Sequence, residues 1–272
     1  MTTISNHTNL QPVPPARGES LDSALRWLEA SLPFEGYLHL GTDAQRSMAE
    51  LVQARLSAGA SVLDIGCGPC DKTAVLSRIG YRCTGIDDFR DPWHREGDNL
   101  SRILAFAQAA GVRVVEGDGA SLPFADASFD AVMLCDVIEH LHASPRALLE
   151  DGLRLVKDDG WIFISVPNAL NMRKRLDVLR GRTNYPPYEQ FFRSGAVWRG
   201  HVREYSWGDL TRLSSLLGLA DATVHGRHHM LGVLPAWLRA PYRLATAGIP
   251  SMRDTLVLCA RKPRGWRLSA AA

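Results

Sequence analysis

The sequence predicts an α/β fold, a doubly wound and mostly parallel sheet with an inserted cap and a C-terminal antiparallel strand. Three observations predict it. From Ser61 onward, short apolar runs of strand length alternate with amphipathic stretches, the pattern of strands covered by helices on both faces. The first of these runs passes directly into a Gly-rich turn, as a parallel strand does where it hands over to a helix. The rhythm then breaks in two places only, and both breaks read as insertions into one domain.

The elements follow in chain order. Leu21, Ala24, Leu25 and Leu28 stand at helical spacing and predict a helix over 21–32. A second helix is expected over 43–58, and Ser61–Ile65 is the first strand. Helix 71–79, strand 82–87, helix 99–110 and strand 113–117 come next, then strand 129–136, helix 145–156 and strand 160–166. Right-handed crossovers between such units fix the winding of the sheet. Segment 168–206, rich in Arg, aromatics and Pro, leaves the carboxyl edge of the sheet, where ligands of open α/β sheets bind, and is read as a substrate cap. Helix 207–217 and strand 222–227 resume the pattern. A second insertion occupies 230–252, and strand 255–260 closes the fold. On this reading residues 1–19 are a disordered leader, 20–262 one domain with its core at 61–166, and 263–272 a flexible tail.

Composition narrows the class. A chain of 272 residues buries a sizeable core, and 46% hydrophobic with 22% charged residues is ordinary for a soluble globular protein. A formal charge of +2 leaves no global footprint for nucleic acid, which is not an expected partner. No run is long enough to cross a bilayer, so no stable membrane insertion is expected. The first twenty residues lack an apolar signal core, and the cytoplasm is the expected compartment. Five cysteines in so long a chain make no disulfide framework, and their spacing does not suggest zinc.

The strongest motif is Val62-Leu63-Asp64-Ile65-Gly66-Cys67-Gly68. Glycines there let the backbone approach a ligand that a Cβ would hold off. Asp87 ends the second strand, where a carboxylate can accept from ribose hydroxyls. Asp118, in Glu116-Gly117-Asp118-Gly119-Ala120, ends the third, where it can face an adenine amino group. A nicotinamide-binding turn would need a third glycine where Asp71 stands, and Asp64 precedes the turn; both departures disfavour that cofactor.

With these residues in place, the core resembles the class I S-adenosylmethionine-dependent methyltransferases, which have a Rossmann-like fold. The resemblance covers 61–166 and includes the run Asp118-Gly-Ala-Ser-Leu-Pro-Phe-Ala-Asp-Ala-Ser-Phe-Asp-Ala-Val. It implies that Asp64, Gly66 and Gly68 hold the methionine part of the cofactor, Asp87 the ribose and Asp118 the adenine, with Gly119 also among the cofactor-binding residues. It also implies methyl transfer, and the expected acceptor is an oxygen of a small metabolite or a saccharide. A protein or RNA methyltransferase and a non-catalytic cofactor-binding domain stand as alternatives.

The fourth strand ends in Cys135-Asp136-Val137-Ile138-Glu139-His140-Leu141-His142. Asp136, Glu139 and His140 are spaced to share one face of a helical turn. The stretch is similar to a metal-binding segment of ubiquinone-pathway O-methyltransferases, and that likeness implies Mg2+ or another divalent metal on these three residues. Two other readings stand beside it: His140 or His142 as a general base, or a purely structural role in capping the turn. In the cap, His201 within Arg199-Gly-His-Val-Arg-Glu-Tyr205 is a further catalytic candidate. The cap carries eight basic against three acidic side chains, a net +5 that favours an anionic acceptor or else a solvated face.

Three features compete. Cys67-Gly68-Pro69-Cys70 is thioredoxin-like, but it overlaps the cofactor turn in a domain of another order, so redox catalysis is disfavoured. Asn184-Tyr185-Pro186-Pro187-Tyr188 is reminiscent of amino-group methyltransferases of nucleic acids, yet it follows the fifth strand instead of the fourth. The second insertion, apolar with interspersed Arg, fits a packed lid or a homodimer surface better than a membrane face.

Overall fold

The computed structural model describes residues 18–117, 121–183, 185, 187–195 and 197–267. Seven strands form one sheet: β1 (Ser61–Ile65), β2 (Arg82–Asp87), β3 (Arg113–Glu116), β4 (Phe129–Cys135), β5 (Val156–Pro167), β6 (Ala220–Arg227) and β7 (Thr255–Arg261). Their order is β3-β2-β1-β4-β5-β7-β6. Pairing is parallel from β3 through β5, while β7 runs antiparallel to both β5 and β6. The expected mostly parallel sheet with one reversed C-terminal strand is what forms. Strand order changes direction between β1 and β4, and the carboxyl ends there open the crevice where such sheets bind ligands.

The apolar runs explain why the sheet is covered on both sides. Successive residues of a strand face opposite ways. Val62 of β1, Ala131 and Met133 of β4, Phe163 of β5 and Val257 of β7 face one core, under α1 (Leu21–Ser31), α2 (Asp43–Gln53), α3 (Asp71–Arg78) and α4 (Asn99–Ala109). Leu63, Val132, Ile162 and Leu258, one position along, face the other, under α5 (Arg146–Leu155) and α8 (Trp207–Leu216). Truncating a residue such as fully buried Leu63 to alanine would cost about 2–5 kcal/mol. At the first helix, the Ser20 side chain accepts from the Ser23 backbone N–H, and Ala24, Leu25 and Leu28 form its buried stripe.

Three sequence expectations need correction. Strand β5 begins at Val156, not at 160; its register against β4 shifts between Phe129 and Ala131, and Asp159 takes a left-handed conformation (φ +62°) within the irregularity. The leader does not extend to residue 19, because the Glu19 backbone N–H donates to the Arg78 carbonyl at 2.9 Å and its carboxylate pairs with the Arg78 guanidinium. The tail does not begin at 263: the Trp266 indole N–H donates to the Leu217 carbonyl at 2.7 Å. Residues 1–17 and 268–272 lie outside the described residues.

Both insertions spring from the carboxyl edge. The cap holds α6 (Met172–Leu179) and α7 (Tyr188–Arg193), and the second insertion holds α9 (Ala236–Ala245). The cap is tied at its neck, where Asn168 bridges Tyr205 and the Ala169 N–H donates to the Tyr205 carbonyl at 2.9 Å. The fully buried Asn168 amide donates to the carbonyls of Ser251 and Arg253, joining the second insertion to the same point. Among the described residues no helix is long and apolar enough to cross a membrane.

Candidate active site

One half of the crevice lies over β1 and β2. Asp64 is buried, its Oδ2 accepts from the Thr73 hydroxyl, and its Oδ1 has no partner. Burial pushes its pKa up to about 7, against the opposing pull of Thr73 and the Lys72 charge. Gly66 is left-handed (φ +74°), and a Cβ on it would stand 2.5 Å from Val137 Cγ2. Gly68 is also left-handed (φ +50°), but its missing Cβ faces only His94 Nε2 at 4.0 Å, so the space in front of it is open. Asp87 braces the turn: Oδ2 accepts from the Gly68 N–H and Oδ1 from the Phe89 N–H, each at 2.8 Å. Each oxygen keeps a second lone pair for a hydroxyl. An orphaned buried carboxylate oxygen beside a turn open to close approach fits the amino-acid and ribose parts of S-adenosylmethionine. Asp118 and Gly119 lie outside the described residues.

The five cysteines are free and buried. A hydrogen bond with Cys70 and burial hold the Cys67 thiol well above its ordinary range. A protonated thiol is a poor nucleophile, in keeping with the reading against redox catalysis.

The other half lies over β4 and under the cap. Asp136 follows β4 in a left-handed conformation (φ +58°), with Lys72 Nζ 3.5 Å from one oxygen and the Ser165 hydroxyl donating to the other at 3.3 Å. The next residues tighten into a short 3-10 turn, Ile138–His140. Glu139 is fully buried and neither carboxylate oxygen has a partner. Burial, with the Asp136 charge beside it, pushes its pKa up to about 9. Its backbone carbonyl accepts from the Val202 and Arg203 N–H groups, which brings the end of the cap onto β4.

The histidines divide there. His140 Nδ1 bonds the Arg199 carbonyl at 3.0 Å, and His201 Nδ1 bonds Glu204 Oε1 at 2.9 Å. The two rings meet edge to face at 4.9 Å. With Nδ1 engaged on both, each ring keeps Nε2 as its free lone pair. Burial holds His140 below its ordinary pKa, so it is neutral at pH 7. Glu204 is raised by burial, but hydrogen bonds from His201 and Lys174 bring it below the usual range, so it is a carboxylate. His142 stands apart; its Nε2 bonds the Trp198 carbonyl at 2.8 Å and fixes the cap.

Among the described residues, Glu139, His140 and His201 offer ligand atoms within 4.8 Å of one another. Of the expected Asp136, Glu139 and His140, the structure groups Glu139 and His140 with His201 from the cap, while the Asp136 carboxylate turns to Lys72 and Ser165. Sequence reasoning passed over Lys72 and His229. Lys72 left a signal, since a cation in the first turn of a helix opposes the helix dipole and asks for a reason. His229 left none; its Nε2 is buried without a partner and burial pushes its pKa down to about 4.

Comparison with known proteins gives four matches. Residues 63–164 match the family model described as a methyltransferase domain. An uncharacterized methyltransferase of Mycobacterium sp. (strain KMS) is 32% identical over 153 residues, covering 55% of this chain and 56% of that protein. A probable S-adenosylmethionine-dependent methyltransferase of Mycolicibacterium smegmatis is 26% identical over 187 residues, covering 68% of this chain and 62% of that protein. The chain thus spans little more than half the length of these curated relatives. Among solved structures, a possible histamine N-methyltransferase of Thermotoga maritima superposes with a TM-score of 0.54 at 17% identity, covering 87% of this chain and 97% of that one. That likeness is one of fold.

Proposed function

We propose that this chain, whose residues 63–164 match a methyltransferase domain, is a class I S-adenosylmethionine-dependent methyltransferase that transfers the cofactor's methyl group to an oxygen of a small, metabolite-like or saccharide acceptor held beneath the cap. The observation that carries the reading is the pairing of His201 with Glu204 at the β4 end of the crevice. Asp64, Gly66, Gly68 and Asp87 would hold the cofactor, which when bound supplies an electrophilic sulfonium methyl.

The chain's own residues do the rest. The Glu204 carboxylate fixes the His201 tautomer with Nδ1 protonated, leaving Nε2 to take the acceptor hydroxyl proton, and it stabilises the imidazolium that results. Lys174 holds Glu204 from its other oxygen. His142 and the Glu139 carbonyl pin the cap arm that carries His201, which excludes water from the acceptor and sets its line of approach. Such orientation is worth up to about 7–11 kcal/mol. The net basic cap supports an anionic acceptor.

A second reading has its own support, the two unpartnered oxygens of Glu139. A divalent cation on Glu139, His140 and His201 would satisfy them and lower the pKa of a bound acceptor hydroxyl. Two imidazoles favour a softer ion than Mg2+. Transfer of tritium from methyl-labelled cofactor into a fractionated cell extract tests both readings. Label in the small-molecule fraction is expected, insensitive to chelator if His201 acts alone and abolished by chelator if the cation is needed. Label in protein or RNA would replace the acceptor class, and tight cofactor binding without any transfer would leave a non-catalytic binding domain.

A further inference from the structure

We infer that Lys72 and Asp136 read the charges of the cofactor's amino-acid end, with Lys72 receiving its carboxylate. The inference rests on the cofactor reading above. Lys72 sits in the first turn of α3, two residues beyond Cys70, whose left-handed backbone (φ +62°) closes the glycine turn. Its side chain is 14% exposed, so the ammonium is largely withdrawn from water. Yet its nearest carboxylates stand at 3.8 Å (Asp71) and 3.5 Å (Asp136), beyond a strong hydrogen bond. The Asp71 oxygen is already taken by the Gln45 amide. Three N–H donors on a mostly buried cation thus have no carboxylate nearer than 3.5 Å. A mostly buried charge left this way is costly unless a partner completes it.

Across from it, Asp136 is the more open of the pair, with its side chain 42% exposed, and it occupies a conformation that few non-glycine residues adopt. Asp64, behind the turn, keeps one carboxylate oxygen unpartnered. A cation with spare donors flanked by anions with spare lone pairs is complementary to an amino-acid zwitterion: the carboxylate to Lys72, the ammonium to Asp136 and Asp64. Burial alone would lower the Lys72 pKa, but Asp71 and Asp136 raise it well above its ordinary range, so the cation is permanent at pH 7.

Two ligands separate this inference from the cofactor reading. S-adenosylhomocysteine carries the zwitterion; 5′-methylthioadenosine keeps the adenosyl thioether and lacks it. Calorimetry on the full chain and on Lys72→Met and Lys72→Arg gives the answer. The methionine variant should weaken S-adenosylhomocysteine by about 10- to 100-fold, the loss of one charge-assisted bond, and leave 5′-methylthioadenosine within about twofold. The arginine variant should recover most of the loss. Retained 5′-methylthioadenosine binding also reports that the methionine variant is folded. Equal weakening of both ligands, or of neither, overturns the inference while the cofactor reading stands. Failure of the unaltered protein to bind either ligand overturns both.

Discussion

The two halves of the crevice are built on different principles. Over β1 and β2 the site is made of backbone and of residues close in sequence: Gly66 and Gly68 set the turn, and Asp87 clamps it through two N–H groups. Over β4 the site is made of side chains from distant segments, with His140 bonded to a carbonyl 59 residues away and His201 brought in on the cap. The buried acids carry the same contrast. Asp64 is half satisfied by Thr73 and lies near a cation, while Glu139 has neither oxygen satisfied. A turn dictated by local conformation suits a ligand that never changes, and an assembled wall suits one that does.

The largest expected effect attacks the first half. Gly66→Ala places a methyl 2.5 Å from Val137 in a left-handed conformation. Calorimetry should find S-adenosylhomocysteine binding abolished, and the melting temperature should fall with a destabilisation of about 1–3 kcal/mol. Unchanged binding would mean the turn is not the cradle. Next comes His201→Ala, expected to lower kcat by about 10²–10⁴-fold with cofactor affinity intact. Glu204→Gln should follow in the same direction with a smaller loss, and a fall in cofactor affinity would show that the two halves are not separable.

Glu139 sharpens the comparison through pH. Its folded pKa of about 9 lies above the ordinary 4.5, so the folded state holds the extra proton. Its contribution to stability is therefore complete below pH 4.5 and is lost as pH rises from there through about 9. Thermal melts of the unaltered protein should decline across that window, and Glu139→Gln should flatten the decline, with a gain at pH 9 of about 2–4 °C per kcal/mol recovered. Zinc added at pH 8 should raise the melting point of the unaltered protein alone if the trio binds a cation. The smallest effect belongs to His142→Ala, which removes one bond to Trp198 and should cost about 1 kcal/mol, less than about tenfold in kcat.

Legibility in the sequence follows the same division. The strands from Ser61 to Asp87 and the glycine turn were readable because apolar runs and left-handed positions leave marks within a few residues. The Phe129–Cys135 strand and the reversed last strand were readable for the same reason. The third member of the acidic and histidine cluster was not, because the spacing of Asp136, Glu139 and His140 predicts a regular helical face. The left-handed Asp136 breaks that face and turns the carboxylate to Lys72. His201 could be named as a candidate, but its place beside His140 depends on cap contacts such as Val202 and Arg203 to Glu139, which no local pattern encodes. Trp266 shows the same limit: a lone indole in a polar tail gives no sign that it docks on Leu217.

The neck at Asn168 and Tyr205 has a consequence for how such a fold can diversify. Because the two ends of segment 168–206 are bridged to each other at the sheet edge, everything between them is a detour that starts and finishes at one spot. Lengthening, shortening or exchanging that detour leaves the strands and the glycine turn where they are. New cap segments can therefore be grafted, one at a time, onto an unaltered sheet.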